Sequence, residues 1–545
     1  MAVNALVEAR AALRAAAYPL AVPSAAPARE SVAALLAQID DYLVPRMRRL
    51  DGPLLAVVGG STGAGKSTLV NSLIRAPVCP AGVLRPTTRA PLLVGHPVDV
   101  AWFRERSFLP RLHAEGVMEL VDTPRLTPGL ALIDAPDIDS VVAANRALAH
   151  ELLAASDLWL FLTTAARYAD AVPWRLLREA RHRGTMVAIV LDRVPPHARD
   201  EVSIHFARML GSQGLGDTGL FIVPESTLDG RGLLPEIDVA PVRRWLDLVA
   251  GSRTNRARVL HRTLTGALAA AGGTVDALAA AADDQLDTAD AVAADVRATF
   301  DGALSDVESG LATGAMLRGE VYARWRELVA GGELRNALRT RTGRLEVRTT
   351  LGERPAPGRR LMPALGRGVA GLVVEAGVEA ARRCAEAWSA GPAGWNLLAA
   401  DPGLARVWPG FAEAAHELAH DWLAWLRVAS RRRGVRTPSR SYASAATFLL
   451  AAVSAVAPPS ADVTADGVGP DLLRAILADD DVGMLAERAR ADLLQRVAAL
   501  FEVEVQRRLA PVAWVDPDLP WRLRTVAARL RDAGAGLRIH EDDAA

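Results

Sequence analysis

The stretch Leu54-Leu55-Ala56-Val57-Val58-Gly59-Gly60-Ser61-Thr62-Gly63-Ala64-Gly65-Lys66-Ser67-Thr68 decides how the rest of the chain is read. Five apolar residues run into a glycine-rich turn, and Leu69-Val70-Asn71-Ser72-Leu73-Ile74 continues as an amphipathic helix. Counted from Gly60, the turn satisfies the P-loop pattern, closed by Gly65-Lys66-Ser67. Strand, glycine loop and helix follow in the order that pattern requires. Glycines let backbone N–H groups from Gly60, Ser61, Thr62, Gly63, Ala64 and Gly65 through to Thr68 converge on phosphate at a helix N-terminus, where the dipole favours an anion. In this reading Lys66 reaches the terminal phosphates and Ser67 a magnesium ion.

Composition adds an independent argument. Lys and Arg total 63, yet Lys66 is the only lysine. On an ordinary surface the two cations are nearly exchangeable, but a phosphate cradle needs a compact ammonium on a flexible stem, not a wide planar fork. A strong drift towards arginine has therefore stopped at the one position where the chemistry forbids it.

The 545 residues allow two to four structural units, and the hydrophobic half of the chain can bury a large core. Lys plus Arg balances Asp plus Glu at 63 each, which argues against bulk attraction to nucleic acid, and none is expected as a partner. Two cysteines, Cys79 and Cys384, make no disulfide framework and suit a reducing cytoplasm. The opening residues, with Glu8 and no basic-then-apolar run, do not read as a secretory signal.

Residues 1–50 read as an N-terminal helical segment, with Ala33, Leu35, Leu36, Ile39, Leu43 and Met47 on one face of a helix from Glu30 to Leu50 interrupted at Pro45. That face serves either as a cap on the next domain or as part of a bundle completed by the distant C-terminus. Residues 51–250 alternate apolar runs with helical stretches, as in an α/β domain. The runs are Leu54–Val58, Pro91–Val94, Val117–Val121, Leu130–Ile133, Asp157–Thr163, Met186–Leu191 and Leu220–Val223, with a hairpin expected between the third and fourth through Asp122-Thr123-Pro124. The fourth run ends at Asp134, in the place of a Walker B carboxylate. Asp122 is its rival, but from Asp134 one helix, Ile138 to Ala155, carries the chain to the next strand.

Lys66-Ser67-Thr68-Leu69-Val70-Asn71-Ser72-Leu73 resembles the first motif of translation-factor-class GTPases, and Thr88-Arg89-Ala90-Pro91-Leu92 is similar to the switch I stretch of dynamins. Asp134-Ala135-Pro136, after a strand and before a helix, occupies the place of the third motif. With its long helical second half, the chain resembles bacterial dynamin-like GTPases, particularly diverged actinobacterial sets. The resemblance implies a G-domain-like P-loop NTPase head joined to an elongated all-α domain. It also implies GTP hydrolysis with Mg²⁺ and association with itself or with a related GTPase.

Several positions depart from that family. Asp137 stands where the third motif ends in glycine, and a carboxylate beside a triphosphate is repulsive unless it meets a cation. The fourth motif, Asn-Lys-x-Asp, is here Asp192-Arg193-Val194-Pro195, and Glu225-Ser226 stands at the fifth. Asp192, Arg193 and Ser226 are the expected base-binding set, with ATP kept open beside GTP. Thr62 and Gly63 replace the glutamine and serine of dynamins, so assisted hydrolysis does not carry over. The catalytic set expected is Lys66, Thr88 and Asp134, with Ser67, Thr88 and Asp134 around the metal. An ABC-type ATPase would need a glutamate after its Walker B aspartate, where this chain has Ala135, and a signature this chain lacks.

Residues 251–545 read as a helical bundle or stalk, with helices expected at Thr254–Phe300, Ala312–Leu328, Val369–Trp388, Phe411–Ser430, Asp471–Val512 and Trp521–Ala533. Nine arginines lie between Arg335 and Arg367, and a second cluster runs from Arg427 to Arg440. Each adjoins a short apolar segment, Gly368–Val374 or Tyr442–Pro458. Basic loop plus apolar segment is how a peripheral protein touches an anionic membrane, and the plainer reading is buried bundle helices with arginine-rich loops. The functional expectation is a nucleotide-driven self-association cycle in the cytoplasm, with the inner face of the cell membrane as the surface it would meet. A soluble switch that binds a protein or ribosomal partner is the alternative.

Overall fold

The computed structural model describes residues 1–80, 90–104, 118–140, 142–313, 321, 323–324, 338–341, 344–347, 361–432, 452–453, 455 and 480–542. Each of the seven apolar runs forms a strand: β1 (Leu54–Gly60), β2 (Leu92–Gly95), β3 (Glu119–Asp122), β4 (Leu130–Asp134), β5 (Leu158–Thr164), β6 (Met186–Val194) and β7 (Gly219–Pro224). They build one sheet in the order β3-β2-β4-β1-β5-β6-β7. β4, β1, β5, β6 and β7 are parallel neighbours, while β2 runs antiparallel to β4. β1, β4 and β5 are buried along their whole length, which is why they read as unbroken apolar runs instead of alternating ones.

The hairpin expected between the third and fourth runs does not form. β2 lies between β3 and β4, pairing with β3 in parallel and with β4 in antiparallel sense. A turn at Asp122-Thr123-Pro124 reverses the chain equally well whether the two strands pair or straddle a third, so local chemistry does not decide the partner.

The helices before the sheet are α1 (Ala2–Ala15), α2 (Ala25–Gln38) and α3 (Val44–Arg48), the last two joined by a π-helical turn, Ile39–Leu43. The interruption anticipated at Pro45 therefore falls one turn earlier. The Val44 N–H reaches back five residues to the Ile39 carbonyl, and the widened turn accommodates a proline that has no N–H of its own. Around the sheet follow α4 (Lys66–Ile74), α5 (Pro97–Arg104), α6 (Ala143–Ala154), α7 (Ala171–His182), α8 (Arg199–Ser212) and α9 (Glu236–Gly251). α6 starts later than expected from Ile138, because Asp137–Ser140 forms a turn in which the Ser140 N–H donates to the Asp137 carbonyl (3.3 Å).

Beyond the sheet lie α10 (Arg253–Thr313), a hairpin of β8 (Leu338–Arg341) and β9 (Arg344–Val347), then α11 (Leu361–Ser389), α12 (Pro392–Ala400), α13 (Phe411–Arg432), α14 (Asp480–Leu509) and α15 (Leu519–Asp542). The chain divides into two compact units: Met1–Tyr18, Pro23–Asp284 and Pro517–Ala545 in one, Pro19–Val22 and Gln285–Asp516 in the other. The division thus falls within α10, not at its start near residue 250, and the last helix joins the sheet-bearing unit. α15 packs on α1, with Arg529 paired to Glu8, and on α10 through Arg531–Asp276 and Arg524–Asp283. The helical stretch that carries the face from Ala33 to Met47 meets the sheet through Tyr42 and Arg46, both bonded to Asp157, as a cap does; it is α1, ahead of it, that packs on the C-terminal helix.

The second unit is helical around Phe300, Trp388, Phe411, Trp422 and Phe501. Two of its buried polar side chains bond to backbone: the Trp422 indole donates to the Ala489 carbonyl at 2.8 Å, and the Gln285 amide both donates to and accepts from the Leu20 backbone (2.9 and 2.8 Å). Val369 and Val373, from the apolar segment beside the first arginine cluster, are buried in this core. α10 and α11 are long and apolar enough to cross a bilayer by length and composition, and about half of each apolar window is buried within the protein. Most of both arginine clusters and of Tyr442–Pro458 lies outside the described residues.

Candidate phosphate-binding site

β1 delivers the glycine-rich turn to the edge of the sheet formed by the C-terminal ends of the parallel strands, where ligands of open α/β sheets bind. Gly60 is required by close approach: a Cβ there would lie 2.2 Å from the Leu162 carbonyl of β5. Gly65 is required by its backbone, a left-handed φ of 99° that turns the chain into α4, with Lys66 as the first helical residue. The first N–H groups of α4 have no partner within the helix and face the turn, so loop and helix dipole together favour an anion.

Within this cradle the Lys66 ammonium donates to the carbonyls of Gly60 (3.1 Å) and Ser61 (3.2 Å) and is ion-paired to Asp137. The Ser67 hydroxyl donates to Asp134 Oδ2 at 2.7 Å. Asp134 is wholly buried, and burial pushes its carboxyl up, opposed by the Ser67 hydrogen bond and the Lys66 charge. Its Oδ1 makes no hydrogen bond of normal geometry among the described residues, although the Cys79 thiol lies near the carboxylate. Burial and Asp134 together push that thiol up, so it stays protonated. A hydroxyl oxygen beside a buried carboxylate with one uncommitted oxygen is a hard-oxygen set that suits Mg²⁺.

The Asp134–Ser140 segment passes alongside the loop. The Thr62 N–H and hydroxyl both donate to Asp139 Oδ1 (2.6 and 2.7 Å), and Arg167, from the turn after β5, bonds Asp139 Oδ2 (2.9 Å) and the Thr62 carbonyl (3.1 Å). Burial raises the Asp139 carboxyl, but the Thr62 and Arg167 hydrogen bonds outweigh it and hold the group below its ordinary value. Asp139 and Arg167 carry no mark in the sequence that assigns them to the site, and Cys79 is marked there only as a free cysteine. The nearest signal is the second carboxylate two places after Asp137.

Asp192 and Arg193, at the end of β6, also reach the loop. Asp192 Oδ2 lies 3.2 Å from where a Gly65 Cβ would stand, and the Arg193 guanidinium 3.8 Å from the same point. Asp192 is buried, its Oδ1 has no hydrogen-bond partner among the described residues, and burial pushes its carboxyl up to about 6. Arg193 takes a left-handed φ of 55°, unusual for a side chain of this size. The Ser226 hydroxyl donates to Asp238 Oδ2 at 2.6 Å. Asp122, the rival to Asp134, ends β3 at the sheet edge, two strands from β4. Thr88 and Arg89 lie outside the described residues, which resume at Ala90.

No protein-family model matches the chain, and no curated protein matches it. Solved structures similar to it include the following two. One, described as "An oligomerised bacterial dynamin pair provides a mechanism for the long-range sensing and tethering of membranes", aligns at 10% identity over 93% of this chain and 95% of that chain, with a TM-score of 0.35. The other, described in nearly the same words, aligns at 11% identity over 95% and 80%, with a TM-score of 0.29.

Proposed function

We propose that the chain binds a magnesium–nucleoside triphosphate and hydrolyses it, with guanine preferred over adenine. The observation that supports this most is the meeting of Lys66, Ser67 and Asp134 at the mouth of a loop whose Gly65 turns into a helix N-terminus. The loop N–H groups and Lys66 bind and orient the phosphate chain, and Ser67 and Asp134 hold the metal, which supplies charge neutralisation for phosphoryl transfer. Since that reaction asks little covalent chemistry of the protein, positioning by these residues accounts for slow basal turnover. Asp192 is an acceptor beside the loop, and guanine offers it two adjacent N–H groups where adenine offers only an amino group. The nucleotide cycle drives self-association of the chain at an anionic membrane, the part of this reading that rests on the sequence resemblance alone. A soluble switch without lipid contact is favoured by one observation, the burial of Val369 and Val373.

The test is calorimetric binding of GTP and ATP with Mg²⁺ to wild type and Lys66→Ala. The expected result is a GTP preference and a loss of affinity of about 100-fold or more in the variant, because a buried ammonium is removed from a phosphate. Binding that survives unchanged in Lys66→Ala would overturn the site. Equal affinities would overturn the guanine preference only.

A further inference from the structure

Three donors of the loop, on two residues, are already held by carboxylates from a single turn. Asp137 is ion-paired with Lys66, and Asp139 takes both the N–H and the hydroxyl of Thr62. The turn is moored to the loop, since the Ile138 N–H donates to the Gly60 carbonyl at 3.4 Å and Arg167 bonds both Asp139 and Thr62. Carboxylate oxygens thus sit on donors that the phosphate reading assigns to phosphate oxygens. The two acids are not equivalent. Asp139 has three donors from two residues, whereas Asp137 is held by the one cation and keeps 21% of its side chain exposed. Asp139 anchors the turn, and Asp137 is the group a ligand can displace.

We propose that Asp137 is a specificity-determining residue: it occupies the terminal-phosphate position on Lys66, so the site takes a nucleoside diphosphate in preference to a triphosphate. The inference rests on the phosphate-site reading above. Lys66 in such a loop serves the two outer phosphates of a triphosphate. A diphosphate leaves the outer position to Asp137 and keeps the ammonium neutralised from both sides. A triphosphate must evict Asp137 and then bring its most highly charged group beside an uncompensated carboxylate, which is repulsive at such distances. Movement of the Asp137–Ser140 turn would be the event that admits a triphosphate.

The experiment is titration of GDP and GTP, each with Mg²⁺, into wild type, Asp137→Asn and Asp139→Asn, with thermal unfolding of each variant as the check on folding. Wild type is expected to bind the diphosphate more tightly. Asp137→Asn is isosteric and removes only the charge, so its triphosphate-to-diphosphate affinity ratio should rise about tenfold or more. Asp139→Asn should shift that ratio less while loosening the loop. An unchanged ratio in Asp137→Asn, with both nucleotides bound, overturns the proposal and leaves the phosphate site standing. Absence of binding of either nucleotide to wild type and Asp137→Asn alike overturns the phosphate site, and this inference with it.

Discussion

Two ion pairs bracket β1. At its N-terminal end Arg46 and Asp157 are both fully buried, and every part of the carboxylate is used: Oδ1 accepts from Arg46 Nε (3.0 Å) and Tyr42 (2.9 Å), Oδ2 from the Leu55 N–H (2.7 Å) and Arg46 Nη2. The same guanidinium donates to the Pro53 carbonyl at 2.7 Å. At the C-terminal end Lys66 is buried, but its partner Asp137 is held by that one contact and is partly exposed. Charge alone does not separate a pair that holds a fold together from one that can open. The number of further partners and the burial of the acid do. Burial lowers the Arg46 guanidinium to about 10, a cost that only the dense network offsets. Lys66 keeps the Gly60 and Ser61 carbonyls as further acceptors, whereas Asp137 has no such network, which is why the proposal above makes it the replaceable anion.

Breaking the first pair should have the largest effect. Asp157→Ala leaves a buried guanidinium and the Leu55 N–H without their acceptor, and we expect a loss of about 3–5 kcal/mol in denaturant unfolding of the sheet-bearing unit. A variant within about 1 kcal/mol of wild type would remove the distinction between the two ends.

A second prediction concerns pH. Burial raises the Asp192 carboxyl from 3.8 to about 6, so the folded state binds more protons than the unfolded state within that window. Stability is therefore greatest below the window and falls as pH rises through it, by up to about 3 kcal/mol. Asp134 titrates in the same sense, so the quantity to measure is the difference in unfolding free energy between wild type and Asp192→Asn from pH 3 to 7. The expected difference grows in favour of the variant as pH rises; a flat difference would mean that Asp192 is not desolvated.

The smallest effect is expected at the rim. The Arg167 side chain is 42% exposed, and solvent screens its pairs with Asp139 and Asp170. Arg167→Ala should cost about 1 kcal/mol or less in thermal unfolding. A larger loss would show that the rim of the site is as rigid as the far end of β1.

The sequence displayed the loop and the strands because their signals are local. A glycine forced to positive φ, a lysine opening a helix and runs of Val, Leu and Ile need only neighbours a few positions away. It did not display the Arg46–Asp157 network or the Asp139–Arg167 clamp. Arg46 and Asp157 lie 111 positions apart and Thr62 and Arg167 105 apart, and nothing in their local surroundings marks them as partners. The same holds for α15, whose pattern predicts a helix but not that it returns to α1.

By itself, then, the sequence determined that a glycine-rich turn leads from a strand into a helix at Lys66, and which segments would be strands. Only the tertiary structure decided that β2 parts β3 from β4, that the unit boundary lies within α10, and that Lys66 faces a carboxylate 71 positions away. The physical reason is common to all three. Backbone preference and apolar period are properties of a few adjacent residues, whereas strand order and ion-pair geometry are set by which distant surfaces bury each other best.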